Sequence, residues 1–231
     1  MAVEAELKLA LPAGQQRHAK HVLDALAGRP GQAIRLSNVY FDTPALDLQR
    51  ARSALRVRLS GAQWLQTFKS GGGAQSGLHR RHEWEMPVAG DALETEALIA
   101  AVEHDLAAVP AGSDADASAE RETLRAALQT LRSAVPTLGP LFRTDFTRTI
   151  WNVVHEGGDV EIGLDEGDVI VGEGAQRRTQ PILEIELELK RGEEAVLHRL
   201  AKRLADQIPG LTADNVSKAE RGYRLRDASH D

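Results

Sequence analysis

Residues 1–10 read MAVEAELKLA. Glu4, Glu6 and Lys8 stand two apart, with Ala5, Leu7 and Leu9 between them. In a β-strand, residues two apart share a face. The segment therefore has one charged face and one apolar face. The same pattern returns along the chain. Arg56 and Arg58 alternate with Leu55, Val57 and Leu59, and Thr67 and Lys69 with Trp64, Gln66 and Phe68. Arg81, Glu83 and Glu85 alternate with His82, Trp84 and Met86, and Glu161 and Asp165 with Val160, Ile162 and Leu164. Glu184, Glu186 and Glu188 alternate with Leu183, Ile185, Leu187 and Leu189.

A single strand of this kind normally turns its apolar face inward and its charges to water. Three features reverse that expectation here. The charges recur on nearly every strand, they carry both signs at matched spacings, and the chain also contains four amphipathic helices that need an apolar partner. A sheet closed into a barrel loses its edges and gains an interior. With the helices packed outside, that interior becomes the charged face. The expected fold is α+β: a closed eight-stranded antiparallel β-barrel with amphipathic helices around it. Cations and carboxylates crowded at low effective dielectric need a ligand that balances both. Polyphosphate with a divalent metal does so. Arg and Lys bind phosphate oxygens, and carboxylates hold hard cations such as Mg²⁺ or Mn²⁺.

Composition narrows the class. At 231 residues the chain suits one domain, residues 1–231, with a helical insertion at about 91–135. Hydrophobic residues make up 42% and charged residues 27%, values ordinary for a soluble protein. A net charge of −6 argues against a general nucleic-acid binder. With no cysteine, disulfides, thiolate metal sites and thiol nucleophiles are excluded, and a cytoplasmic location is expected. No apolar run reaches membrane-span length, and the acidic N-terminus does not read as a secretion signal.

In chain order, the patterns predict a strand over 3–11, a helix over 15–27 and a strand over 34–41. A short turn or helix follows at 46–50, then a hairpin of 54–59 and 63–69. Residues 70–77, with Gly71, Gly72 and Gly73, lack the Lys-Ser/Thr ending of a phosphate-binding P-loop and read as a flexible connection. A strand over 79–88 precedes helices over 93–109 and 119–131, joined by a mobile link at 110–118. After a loop at 136–140 come a strand over 141–154, a turn at 156–159, short strands over 160–164 and 169–171, and a strand over 181–189. A helix over 193–207 and residues 213–226 complete the chain. The eight histidines show no HExxH spacing. Trp64, Trp84 and Trp151 are expected to pack against the helices rather than to stack on a base.

Glu4-Ala5-Glu6-Leu7-Lys8 resembles the ExExK signature of the CYTH superfamily, the triphosphate tunnel metalloenzymes. YFDTP (40–44), ALRVR (54–58), LQTFK (65–69), RRHEWE (80–85), EIELELK (184–190) and SKAERGY (217–223) are similar to that family's segments, in its order. The resemblance spans residues 1–226. It implies that Lys8, Arg56, Arg58, Lys69, Arg81, Lys218 and Arg221 bind phosphate. Arg148, with Thr144, is favoured over Arg143 as the interior cation of 141–150. Glu4, Glu6, Glu184, Glu186 and Asp165 are the implied metal carboxylates, and Glu4, Glu6, Lys8 and Glu186 the catalytic set. Glu83 and Glu85 are further tunnel acids, with Glu188 a weaker one at the rim beside Lys190. The implied activity is Mg²⁺- or Mn²⁺-dependent hydrolysis of inorganic triphosphate, most similar to bacterial inorganic triphosphatases. Thiamine triphosphate hydrolysis, a class IV-type adenylyl cyclase and a non-catalytic polyphosphate or nucleotide sensor are the alternatives. The implied partner is a small-molecule triphosphate, with polyphosphate and a second copy of the chain as further candidates, and neither nucleic acid nor membrane.

Overall fold

The computed structural model describes residues 2–110 and 115–228. Eight antiparallel strands close on themselves. They are β1 (Ala2–Ala10), β2 (Gln32–Asp42), β3 (Ala54–Ser60), β4 (Gln63–Gln75), β5 (Leu78–Val88), β6 (Gly139–His155), β7 (Gly158–Val171) and β8 (Arg178–Arg191). The order around the barrel is β5-β4-β3-β2-β6-β7-β8-β1, and pairing of β1 with β5 closes it. A two-residue strand, β9 (Thr212–Ala213), extends beside the end of β1. The helices are α1 (Gln16–Ala27), α2 (Asp47–Arg50), α3 (Thr95–Ala108), α4 (Ala115–Ala134), α5 (Ala195–Ala205) and α6 (Lys218–Asp227).

The alternation predicted from the sequence sets which face is which. Leu7 and Leu9 of β1, Ile162 and Leu164 of β7 and Ile185 and Leu187 of β8 point outward. They pack under Leu23 of α1 and Leu197, Leu200 and Leu204 of α5. Leu55, Phe68 and Trp84 point outward on the other side, beneath Leu98 and Val102 of α3 and Leu124, Leu128 and Leu131 of α4. Trp84 and Trp151 belong to these outer layers, donating their ring N–H groups to Asp105 and Asp24. Each fully buried aliphatic side chain contributes about 1.5–3 kcal/mol.

Three expectations are corrected. Residues 70–77 are not a flexible connection: β4 runs to Gln75, with a bulge between Ser70 and Gly73. Gly71 and Gly72 adopt φ +72, and a Cβ at Gly72 would meet the carbonyl oxygen of Arg80 at 1.6 Å. Residues 160–164 and 169–171 are not separate strands. β7 is continuous, because β6 and β8 supply ladder partners on both sides through Gly163 and Gly167. Of the link expected at 110–118, residues 111–114 lie outside the described residues and 115–118 are the first turn of α4, rich in alanine with Asp116 near its N-terminus.

The interior is not charged from end to end. At the end where β2 finishes and β6 begins, Tyr40, Phe142, Phe146, Val169 and Ile182 form an apolar cluster with Ala219 and Tyr223 of α6. Helix α6 lies over this end. Ser217 caps it by accepting the N–H of Glu220 at 3.1 Å.

Candidate active site

Strand register pairs opposite charges around the inner wall. Lys8 lies opposite Glu186, and Glu4 opposite Arg81. Lys69 lies opposite Glu83. Arg148 lies opposite Asp165, and Asp165 opposite Glu184. Gly163, opposite Glu186, leaves the space that Arg148 fills: an added Cβ would lie 3.1–3.3 Å from the guanidinium group.

These side chains enclose a cavity of about 230 Å³. Its centre is cationic, formed by Lys8, Arg56, Arg58, Lys69, Arg81 and Arg148, with Lys218 reaching in from α6. Glu4, Glu6 and Glu186 lie among them, and Glu83, Glu85, Glu161 and Glu188 line the end where β1 begins. Lys8 is ion-paired with Glu186 and, at 3.3 Å, with Glu6. Lys69 is paired with Glu4, and Arg81 with Glu6 at 2.7 Å. Arg148 donates to both oxygens of Asp165 at 2.7 and 2.6 Å and also pairs with Glu186.

Burial and neighbouring charges shift these groups. Burial alone would raise Glu6, but Lys8 and Lys69, with Arg81, hold its carboxyl below the usual carboxylate range. Burial raises Glu4 against the pull of Lys69. Burial opposes the charge on Lys218, yet Asp165, Glu184 and Glu186 raise its pKa. Burial, with the charges of Arg56 and Arg148, brings Arg58 down to about 10.

Not every expected residue faces the cavity. Asp165 and Glu184 are fully buried behind it, joined by Lys218. Arg221 binds Glu184 and Asp214, both at 2.6 Å, and does not reach the cavity wall. Arg143 points outward and pairs with Asp145 at 3.3 Å. Thr144 is buried inward and accepts from Asn38 at 3.1 Å.

Two inward residues escaped the sequence reading. Asn38 accepts from Arg58 Nε at 2.8 Å and so aims that guanidinium. Tyr40 lines the cavity. Burial would raise its hydroxyl pKa, but Arg56, hydrogen-bonded to it, and Arg58 lower it. The two-residue spacing of Leu36, Asn38 and Tyr40 puts them on one face without saying which. Asp42 has a different role. It accepts the N–H groups of Thr43, Leu48 and Gln49 and the Tyr223 hydroxyl, tying α2 to α6.

Asp165, Glu184 and Glu186 offer carboxylate oxygens all within 4.8 Å of one another. Such an all-oxygen donor set suits a hard divalent cation. Glu4, Glu6 and Glu186 also present carboxylates at the cavity wall, each ion-paired with a cation.

A family model described as the CYTH domain matches residues 2–223. An inorganic triphosphatase from Haemophilus influenzae is 30% identical over 225 residues, 97% of this chain and 55% of that protein. The chain thus spans about half the length of that relative. A candidate adenylyl cyclase from Hippeastrum that reveals a dominant triphosphatase activity superposes with a TM-score of 0.59. It is 22% identical, over 96% of this chain and 95% of that one. A candidate adenylate cyclase from Bacillus halodurans superposes with a TM-score of 0.53 at 19% identity, over 95% of this chain and 96% of that one. At these identities the two structures share the fold. Among the described residues, no helix is long and apolar enough to cross a membrane.

Proposed function

The chain belongs to the CYTH family, and from that premise we propose that it is a divalent-metal-dependent triphosphatase whose substrate is inorganic tripolyphosphate. The carrying observation is the convergence of Lys8, Arg56, Arg58, Lys69, Arg81, Arg148 and Lys218, from six elements, on one cavity that also holds Glu4, Glu6 and Glu186. The cations grip a linear triphosphate, and the carboxylates leave a place for metal beside it. The relative named an inorganic triphosphatase supports the reading.

The Arg and Lys side chains orient the chain of phosphates and offset charge on the leaving oxygen. A water attacks a terminal phosphorus in line with the departing pyrophosphate. A new P–O bond forms as the anhydride P–O bond breaks, and a tunnel glutamate takes the water's proton. Glu4, Glu6 and Glu186 would hold Mg²⁺ or Mn²⁺, which would supply charge neutralisation at the phosphate oxygens. Asp165 and Glu184 hold Lys218 and Arg148 in place from behind. Among the described residues, Tyr40 is the one aromatic side chain at the cavity wall, which favours a substrate without a base. A cytoplasmic location belongs to the same proposal.

The test is phosphate release from tripolyphosphate, thiamine triphosphate and ATP, with Mg²⁺ or Mn²⁺ and with chelator, for wild type and Glu6→Gln. Tripolyphosphate is expected to turn over fastest, chelator to abolish turnover, and Glu6→Gln to lower kcat by about 10²-fold or more. Faster turnover of an organic triphosphate would change the substrate. Cyclic AMP from ATP would make the protein a cyclase, and binding without any turnover a sensor.

A further inference from the structure

The two ends of the charged cavity differ in character. Where β1 begins and β5 and β8 finish, Glu4, Glu83, Glu85, Glu161 and Glu188 line the wall, with Lys190 paired to Glu188 at 2.6 Å. At the opposite end α6 packs chiefly on β6, β7 and β8, with β3, β4 and β5 forming the other side. A second cavity, of about 400 Å³, lies beside the first on that side. The two share Ala54, Arg81, Ser217 and Ala219 as a common wall.

This second cavity is poor in acids. Arg52 and Arg81 contribute cations, and Glu220, its one carboxylate, is ion-paired with Arg224. His79, on the same wall, is held neutral, its pKa lowered to about 4 by burial and by Lys8 and Arg81. The bulge at Gly71, Gly72 and Gly73 forms the outer side, and an added Cβ at Gly73 would meet nothing within 4 Å. A polyanion at the first end meets five carboxylates with three cations, Arg56, Lys69 and Lys190, paired to them, whereas beside α6 it meets Arg52, Arg81 and backbone, with Glu220 paired to Arg224. Field lines in a cleft lined by one sign of charge concentrate the opposite ion.

We propose that the passage beside α6 is the route by which inorganic phosphate anions enter and leave the cationic centre. The proposal rests on the triphosphate-binding reading of the cavity but not on turnover. A passage has a kinetic signature that distinguishes it from a binding subsite: narrowing it slows association and dissociation together and leaves the equilibrium unchanged.

The experiment measures association and dissociation of ³²P-labelled tripolyphosphate by rapid filtration in EDTA. Ala74→Trp, opposite the inward-facing His79, fills the passage, and Gln49→Trp, from α2, is the second filling variant. Both are expected to slow association and dissociation about tenfold while Kd stays within threefold. Arg52→Glu is expected to slow association several-fold at low salt and not at 0.5 M salt, where the Debye length shrinks. Arg191→Glu, a charge reversal at the acidic end but outside the cavity lining, should leave both rates within twofold. The proposal falls if both filling variants and Arg52→Glu keep wild-type rates, or if Arg191→Glu is the slow variant. It falls also if Ala74→Trp weakens Kd by faster dissociation. Binding without turnover would overturn only the hydrolase reading, and absence of binding by the wild type would overturn both.

Discussion

A side chain at position 163 would occupy the space that Arg148 uses to reach Asp165 and Glu186. Gly163→Val is therefore expected to displace the guanidinium and lower kcat/KM for tripolyphosphate by about 10²-fold. It should also destabilise the fold by about 1–3 kcal/mol through overpacking; steady-state kinetics and urea unfolding check the two effects separately. His79 makes a second prediction at this scale. Its imidazole titrates at the ordinary 6.5 in the unfolded chain and at about 4 in the fold. Between those values the unfolded chain holds the extra proton, so acid favours unfolding. The stabilisation is whole above pH 6.5 and is lost as pH falls toward 4. In Tm-versus-pH profiles, His79→Gln should flatten that part of the curve; an unchanged slope would refute the assignment. Residue by residue, the inward cations were legible because period-two alternation leaves a strand residue two choices of face. Asn38 and Tyr40 were not, since an uncharged polar residue between apolar ones carries no sign of facing a ligand. Nor could spacing tell that Asp165, Glu184 and Arg221 stand behind the wall rather than on it, because depth along the barrel axis is set by stagger between strands.

Helix α6 is held at both ends of a short chain of contacts. Tyr223 donates to Asp42 at 2.8 Å, and Asp42 also accepts three backbone N–H groups at the start of α2. Gly222 lets α6 lie against Phe142, where an added Cβ would come within 2.1 Å of the ring. Tyr223→Phe removes one buried donor and is expected to cost about 1–3 kcal/mol, read as a lower urea midpoint with unchanged slope. Elements with strong alternation, such as β1 and β8, could be read directly, and so could the helices α1 and α5 with their leucine stripes. The glycine-containing elements misled for a physical reason. Glycine marks a break when a segment stands alone, but in β7 the ladders on both flanks hold it in place, and in β4 the bulge needs φ values that glycine reaches without strain. The apolar end of the barrel was hidden because Phe142, Thr144, Phe146 and Arg148 share one face, so no single polarity labels it.

Across the whole molecule the cavity is close to balanced: eight cations and seven carboxylates line it. A triphosphate that takes the cations leaves carboxylates unpaired, and a divalent metal relieves them. Each ligand thus prepares the site for the other, which is positive coupling in the thermodynamic sense. Mg²⁺ and a non-hydrolysable imido analogue of tripolyphosphate together should raise the Tm of the wild type by more than the sum of their separate shifts. At 100 times Kd a single ligand adds about 2.7 kcal/mol. A merely additive shift in differential scanning fluorimetry would refute the coupling. The closure of the barrel has a consequence in time as well as in space. Lys8 of the first strand pairs with Glu186, 178 residues later. At a synthesis rate of about 5–20 residues per second, that partner emerges roughly 10–40 s after Lys8 does. Through that interval β5 can already pair with β1 and bring Lys69 and Arg81 to Glu4 and Glu6, but Lys8 and the other edge of β1 stay unpaired, so the nascent chain carries an open sheet until β8 arrives. Folding should be slow and dominated by this late long-range step, and the ribosome-bound chain is the state in which the protein is most exposed to chaperones and proteases.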